Sequence, residues 1–255
     1  FLEDAQITGQ LDHPGVVPIH ELGVDDAGRV FFTMKLVRGQ TLKEVAQEAH
    51  AGASAWTRTR LLEIVLRICE AMAYAHAKGV LHRDLKPANI MVGRFGEVYV
   101  MDWGLARVLA RADSKDVRIK PDEVHSSSIL LTDRREGIDS NPDSPLYTFD
   151  GDIIGTPAYM SPEQARGQAQ IGVASDVYSL GAILYHLLSG TVPYLPPGVK
   201  GSFHTVWRWV QAGPPEPLGE LAPHLPAELV AICEQAMARE PAQRYPDMPS
   251  LAEDL

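Results

Sequence analysis

The sequence predicts an α+β fold, with a small strand-containing start followed by a large helical body. Three observations carry that prediction. The short runs "VVPIHELGV" and "RVFFTMKLV", separated by the turn "DDAG", have the composition and spacing of paired strands. Apolar residues then recur at helical spacing, with Leu61, Val65, Ile68, Met72 and Ala75 on one stripe of a long helix that ends at Gly79. The same period returns in "SDVYSLGAILYHLLSG", where Val177, Leu180, Ile183, Leu184 and Leu187 make a buried helix face.

The remaining elements follow in order. Leu2, Ala5, Ile7 and Leu11 fit a helix over residues 1–11 that "DHPG" terminates. Two short apolar strands, "NIMVG" and "VYVMDWG", flank the turn "RFGE". Between residues 113 and 152 stand ten Asp or Glu, five Lys or Arg and eight Ser or Thr, with few clustered apolar groups. Such a stretch buries too little surface to offset its ordering entropy, so it reads as a long mobile loop. "PAELVAICEQAMARE" and the final "SLAEDL" are helical again. Because both ends of the chain fall inside helical patterns, it reads as part of something longer.

Bulk properties narrow the function. At 255 residues the chain can bury a substantial core, and 45% apolar with 22% charged residues is ordinary for a soluble globular protein. A net charge of −10 and a pI near 5.3 argue against nucleic acid or an anionic membrane surface as partners. No apolar run is long enough to span a membrane and no signal-peptide pattern opens the chain, so membrane contact within it is not expected. Cys69 and Cys233 each lie inside an apolar helical pattern, which predicts core thiols in a reducing compartment. The scattered histidines lack metal-ligand spacing.

The chemistry concentrates in "VLHRDLKPANIMV", residues 80–92, where Arg83, Asp84, Lys86 and Asn89 crowd between apolar flanks. Phosphoryl transfer is the reaction this set fits, because it asks for positioning and charge neutralisation more than covalent work. Asp84 can orient an attacking hydroxyl, and Lys86 can face the migrating phosphoryl. Asn89 and the later Asp102 offer the oxygen ligands that a hard divalent cation prefers.

With these residues the chain resembles the eukaryotic-type protein kinase family. "HRDLKPAN" matches its catalytic loop, and "DWG", Asp102 to Gly104, its metal-binding motif, with Trp103 where Phe is usual. "GTPAYMSPE", residues 155–163, resembles the end of the activation segment, with Ser161 where Ala is usual. The resemblance covers essentially the whole chain apart from 113–152. It implies a partial strand-containing upper lobe over 1–37, from helix C to the hinge, and a mainly helical lower lobe over 38–255. It assigns catalytic roles to Asp84, Lys86 and Asn89, and metal binding to Asn89 and Asp102. Adenine would meet Met34 as gatekeeper, the Lys35 carbonyl and the Val37 amide. His82 is packing; Asp176 braces the catalytic loop, Arg244 pairs with Glu163, and Arg83 receives an activation-segment phosphate.

Lys86 followed by Pro87, together with Thr156 in the segment that presents the substrate, is similar to the serine/threonine branch. The wording of "GTPAYMSPEQ" and "DVYSLGAILYHLLSG" looks most like bacterial kinases of the PknB or PrkC type. The implied cofactors are ATP and Mg²⁺ or Mn²⁺. The implied partners are protein substrates and a second copy for autophosphorylation, and the implied place is the cytoplasm, with any anchor outside this chain. Candidate phosphorylation sites are Ser126, Ser127, Ser128, Thr132, Ser140, Ser144 and Thr148. A pseudokinase scaffold is the competing reading. A small-molecule phosphotransferase shares the loop pattern but lacks "GTPAYMSPE".

The glycine-rich loop and phosphate-binding lysine of the family are absent from these residues. Asp4 stands where that lysine's glutamate partner is usual, one methylene or ~1.5 Å shorter. Losing one such charge donor costs on the order of 3 kcal/mol, about a hundredfold in rate. The isolated 255-residue chain is therefore expected to bind ATP poorly and to phosphorylate a basic peptide at least that much more slowly than the full-length protein. Equal rates in a side-by-side radiolabel assay would contradict this.

Overall fold

Residues Ile19–Val24 form strand β1, mostly exposed, which pairs antiparallel with β2, Val30–Met34. The computed structural model describes residues 8–26, 28–53, 55–103, 106–108, 157–168, 171–195, 199 and 201–255. The predicted helix over 1–11 lies mostly outside them, and the predicted loop over 113–152 wholly so. Asp25 closes the β1–β2 turn by accepting from the Arg29 amide at 2.9 Å and from Arg29 Nε at 2.8 Å. Both strands are shorter than their apolar runs. Pro18 has no N–H to give a ladder, so β1 begins after it, while β2 stops at Met34 and residues 35–38 are irregular.

A second sheet takes up the chain where the catalytic loop ends. Strand β3, Gly39–Thr41, pairs with β5, Ile90–Gly93, which pairs with β6, Val98–Val100. Strand β4, Val80–Leu81, pairs with β7, Arg107–Val108. The segment before β1 is tied to the β3–β5–β6 sheet by the Val100 amide, which donates to the Gly15 carbonyl at 2.8 Å.

Helix α1, Leu42–His50, starts at a capping box in which Thr41 accepts from the Glu44 amide and Glu44 reaches back to the Thr41 amide. Helix α2 spans Arg58–Ala77 and buries the stripe predicted for it, from Leu61 through Ala75. After the short α3, Pro162–Ala165, comes α4, Val173–Ser189. Only one face of α4 was expected to be buried, but it is enclosed almost all round, polar Ser175, Asp176 and Ser179 included. The reason is its neighbours. Around α4 pack α2, the 3₁₀ turn Pro157–Tyr159, and α7, Ala227–Ala236.

Gly181 makes the closest of these contacts workable, since a Cβ there would lie 2.8 Å from the Ala236 Cβ. Gly190 ends the helix with φ of 75°, a left-handed cap that costs glycine little. Helices α5, Phe203–Ala212, α6, Leu218–Leu221, and α8, Met248–Asp254, complete the body. Cys69 and Cys233 are buried free thiols as predicted, and burial pushes Cys69 up to about 12. No helix among the described residues is long and apolar enough to cross a membrane.

Candidate active site

Strand β4 delivers the chain at Leu81 into a loop that no regular structure would hold. Arg83 has φ of 68°, a left-handed conformation that costs a bulky side chain roughly 1–2 kcal/mol. The loop is held by a carboxylate from another element. Asp176, in the first turn of α4, accepts from the His82 amide at 2.9 Å through Oδ2 and from the Arg83 amide at 2.8 Å through Oδ1. His76 Nε2, from the end of α2, donates to the same Oδ2 at 2.8 Å. Burial alone would push Asp176 up. The His76 hydrogen bond, the His76 and His82 rings and the Arg83 amide outweigh it and hold the carboxyl below its ordinary range.

His82 is fully buried and structural, as expected. Its Nε2 meets the Met101 carbonyl at 3.0 Å and its Nδ1 meets the Asp84 amide at 3.2 Å, so the carbonyl takes the ring's proton and the amide gives one to the other nitrogen. Trp103, the departure from the usual Phe, packs against His82 with the rings tilted by 57° and their centroids 4.7 Å apart, and gives its indole N–H to the Val100 carbonyl at 3.2 Å. The larger ring therefore fits with its polar atom satisfied.

On this frame the predicted catalytic residues converge. Lys86 Nζ donates to Asp84 Oδ2 at 2.8 Å, and Asn89 Nδ2 donates to the same oxygen at 3.1 Å and to the Asp84 carbonyl at 2.9 Å. Among the described residues Asp84 Oδ1 has no such donor, so it is the oxygen left to receive a hydroxyl. With its nitrogen turned to Asp84, the Asn89 carboxamide presents its oxygen as a ligand. Asn89 also ties down the next strand, its carbonyl accepting from the Met101 amide at 2.7 Å, one residue before Asp102.

Asn89, Asp102 and Met34 line one cavity of about 440 Å³ together with the apolar Val17, Ile19, Phe32, Met91, Val100 and Trp103. Two hard oxygen donors in a largely apolar slot suit a divalent cation and the phosphates of a nucleotide whose base fills the slot. Lys35 and Val37 are not among the lining residues. The Lys35 side chain is turned away to the Tyr99 hydroxyl, 2.8 Å distant. Asp4 and Thr156 lie outside the described residues.

The second predicted brace is present. Arg244, buried, gives Nη1 and Nη2 to the two oxygens of Glu163 at 2.7 and 2.8 Å, and Ser175 adds its hydroxyl to Glu163 at 2.6 Å. Burial pushes Glu163 up, but the Arg244 and Ser175 hydrogen bonds hold it below its ordinary value. Ser161, the other departure, is the N-cap of α3 in a capping box with Gln164. Gln164 also donates to the Arg83 carbonyl at 2.8 Å, which joins this segment to the catalytic loop.

His76 and Gln164 were not singled out in the sequence. A lone histidine in the last turn of a helix reads as an end-cap, while the pattern S-x-x-Q at 161–164 was a usable capping signal.

The protein kinase domain family matches residues 1–253. A serine/threonine-protein kinase PknD of Protochlamydia amoebophila is 33% identical over 269 residues, covering 100% of this chain and 25% of that protein. The protein of the same name from Chlamydia felis is 35% identical over 272 residues, covering 100% of this chain and 26% of its own. The chain thus spans about a quarter of the length of the curated relatives it matches.

Removing the charge of Glu163 leaves the buried Arg244 guanidinium without its carboxylate counter-charge, held by the neutral Ala238, Ala174 and Arg239 carbonyls. Glu163→Gln should destabilise the fold by about 3 kcal/mol at pH 7 in urea denaturation. Because the folded-state pKa is depressed, this contribution is whole above 4.5 and is lost as pH falls through the lower folded value. The gap between wild type and variant should therefore narrow below pH 4.5, and a gap absent at pH 7 or unchanged at acid pH would contradict the assignment.

Proposed function

Since the chain belongs to the protein kinase domain family, we propose that the protein carrying it is a serine/threonine protein kinase with a signalling role. It moves the terminal phosphoryl group of ATP onto Ser or Thr hydroxyls of protein substrates. The observation that carries this reading is the cluster of Asp84, Lys86 and Asn89 on one carboxylate oxygen, beside a slot that Asn89 shares with Asp102.

Each residue then has a task. Asp84, through Oδ1, orients the substrate hydroxyl and accepts its proton. Lys86, already drawn to the carboxylate, neutralises charge on the group in transit. Asn89 and Asp102 would hold the divalent cation, Mg²⁺ in this reading, which supplies charge neutralisation between the phosphates. Adenine would lie in the slot against Met34, with the backbone of Lys35 and Val37 at its edge. Residues 1–37 would be the part of the upper lobe carried here, with 38–255 the lower lobe.

Regulation follows from the same frame. Arg83, held beside Asp84 by Asp176, would receive a regulatory phosphate added by a second copy of the kinase. The Lys86–Pro87 pair and the names of the relatives both favour Ser/Thr over Tyr. The cytoplasm is the compartment that two buried free thiols suit.

In the full-length protein, Asp84→Ala should lower peptide phosphorylation by roughly 10²–10⁴-fold, the usual size of a general-base contribution, while nucleotide binding is retained. Asp102→Ala should remove Mg²⁺-dependent nucleotide binding. A wild-type protein that binds nucleotide yet transfers no phosphoryl to itself or to any peptide would instead be a scaffold.

A further inference from the structure

Tyr159 and His186 make a contact to which the site described above gives no role. Tyr159 is buried in the 3₁₀ turn Pro157–Tyr159, directly after Thr156 and two residues before the Ser161 cap. His186 is partly buried near the end of α4, the helix that also carries Asp176. The Tyr159 hydroxyl and His186 Nδ1 are 2.8 Å apart, with the rings tilted and their centroids at 6.1 Å. His50, from the end of α1, stacks with His186, the ring centroids 6.3 Å apart.

The direction of this bond follows from what surrounds it. Among the described residues, the titratable groups facing His186 are His50 and Tyr159. Neither carries a negative charge at neutral pH that would stabilise an imidazolium. Burial, and then His50, push His186 down to about 4, and burial pushes the Tyr159 phenol well up. At neutral pH the phenol keeps its proton and donates it, and Nδ1 accepts.

Resting on the kinase reading, we infer that His186 is a positioning residue for the polypeptide substrate. By accepting the Tyr159 hydroxyl it fixes the 157–161 segment against α4. That segment runs from Pro157 to the Ser161 cap, three residues before the Gln164 link with the catalytic loop, so its placement bears on where a peptide lies relative to Asp84. The nucleotide slot lies on other elements and does not depend on the contact.

The test uses the full-length protein with a serine-containing peptide and MgATP. Tyr159→Phe and His186→Leu should each raise the peptide KM roughly fivefold to tenfold, the worth of one neutral hydrogen bond, and leave the ATP KM unchanged. His186→Gln, whose carboxamide oxygen can accept from Tyr159, should restore the peptide KM. Nitrogen-15 NMR of the imidazole provides an arm that needs no catalysis: His186 Nδ1 should be an unprotonated acceptor at pH 7, with its shift changed by Tyr159→Phe. Unchanged peptide KM in an active Tyr159→Phe enzyme, equal defects in the Gln and Leu variants, or a protonated Nδ1 would overturn the inference. A wild type without kinase activity would overturn the kinase reading itself, and the substrate role with it.

Discussion

The catalytic loop exists in its working shape because one buried carboxylate holds it there. Asp176 spends both oxygens on three donors, the His82 amide, the Arg83 amide and the His76 ring. The Arg83 backbone is left-handed, so without those bonds the segment would relax toward an extended conformation and carry Asp84 away from Asn89. The carboxylate is kept ionised in turn by its donors and by its place in the first turn of α4, where the helix dipole favours negative charge. Burying a charge is unfavourable by itself, and this one is tolerable because it is matched on both oxygens.

Helix α4 is the common support for both halves of the site. It presents Asp176 to the catalytic loop, Ser175 to Glu163, and His186 to Tyr159. Its enclosure follows from that load, since elements that bind it on every side must also pack on it. Gln164, bonded to the Arg83 carbonyl, closes the circuit between the segment after residue 156 and the loop around Asp84. Packing sets positions here, and hydrogen bonds to buried carboxylates set the fine geometry.

Much of this was legible in the sequence. The helical stripes of α2 and α4 and the strands at 90–93 and 98–100 are direct consequences of period, and the grouping of Asp84, Lys86 and Asn89 follows from their spacing on a short loop. What sequence concealed is of another kind. His76 acts through a partner 100 residues away, a pairing no local pattern encodes. Helix α1 is short, and its apolar residues Leu42, Val45 and Ala46 are too few to announce it, although the Thr41–Glu44 capping box marks its start. Trp103 and Ser161 looked like departures from the family pattern. Each is accommodated, Trp103 by an indole bond to the Val100 carbonyl and Ser161 by capping α3.

The central claim is that Asp176 clamps two amides of a strained loop, and native-state hydrogen exchange addresses those amides individually. The His82 and Arg83 amides should exchange as slowly as the core amides of β5 and β6. In Asp176→Asn, where one oxygen becomes a donor and the charge is lost, these two should speed up selectively by at least about tenfold, the worth of one hydrogen bond, while the strand amides change less. Rapid exchange of both amides in the wild type, or no selective acceleration in the variant, would contradict it.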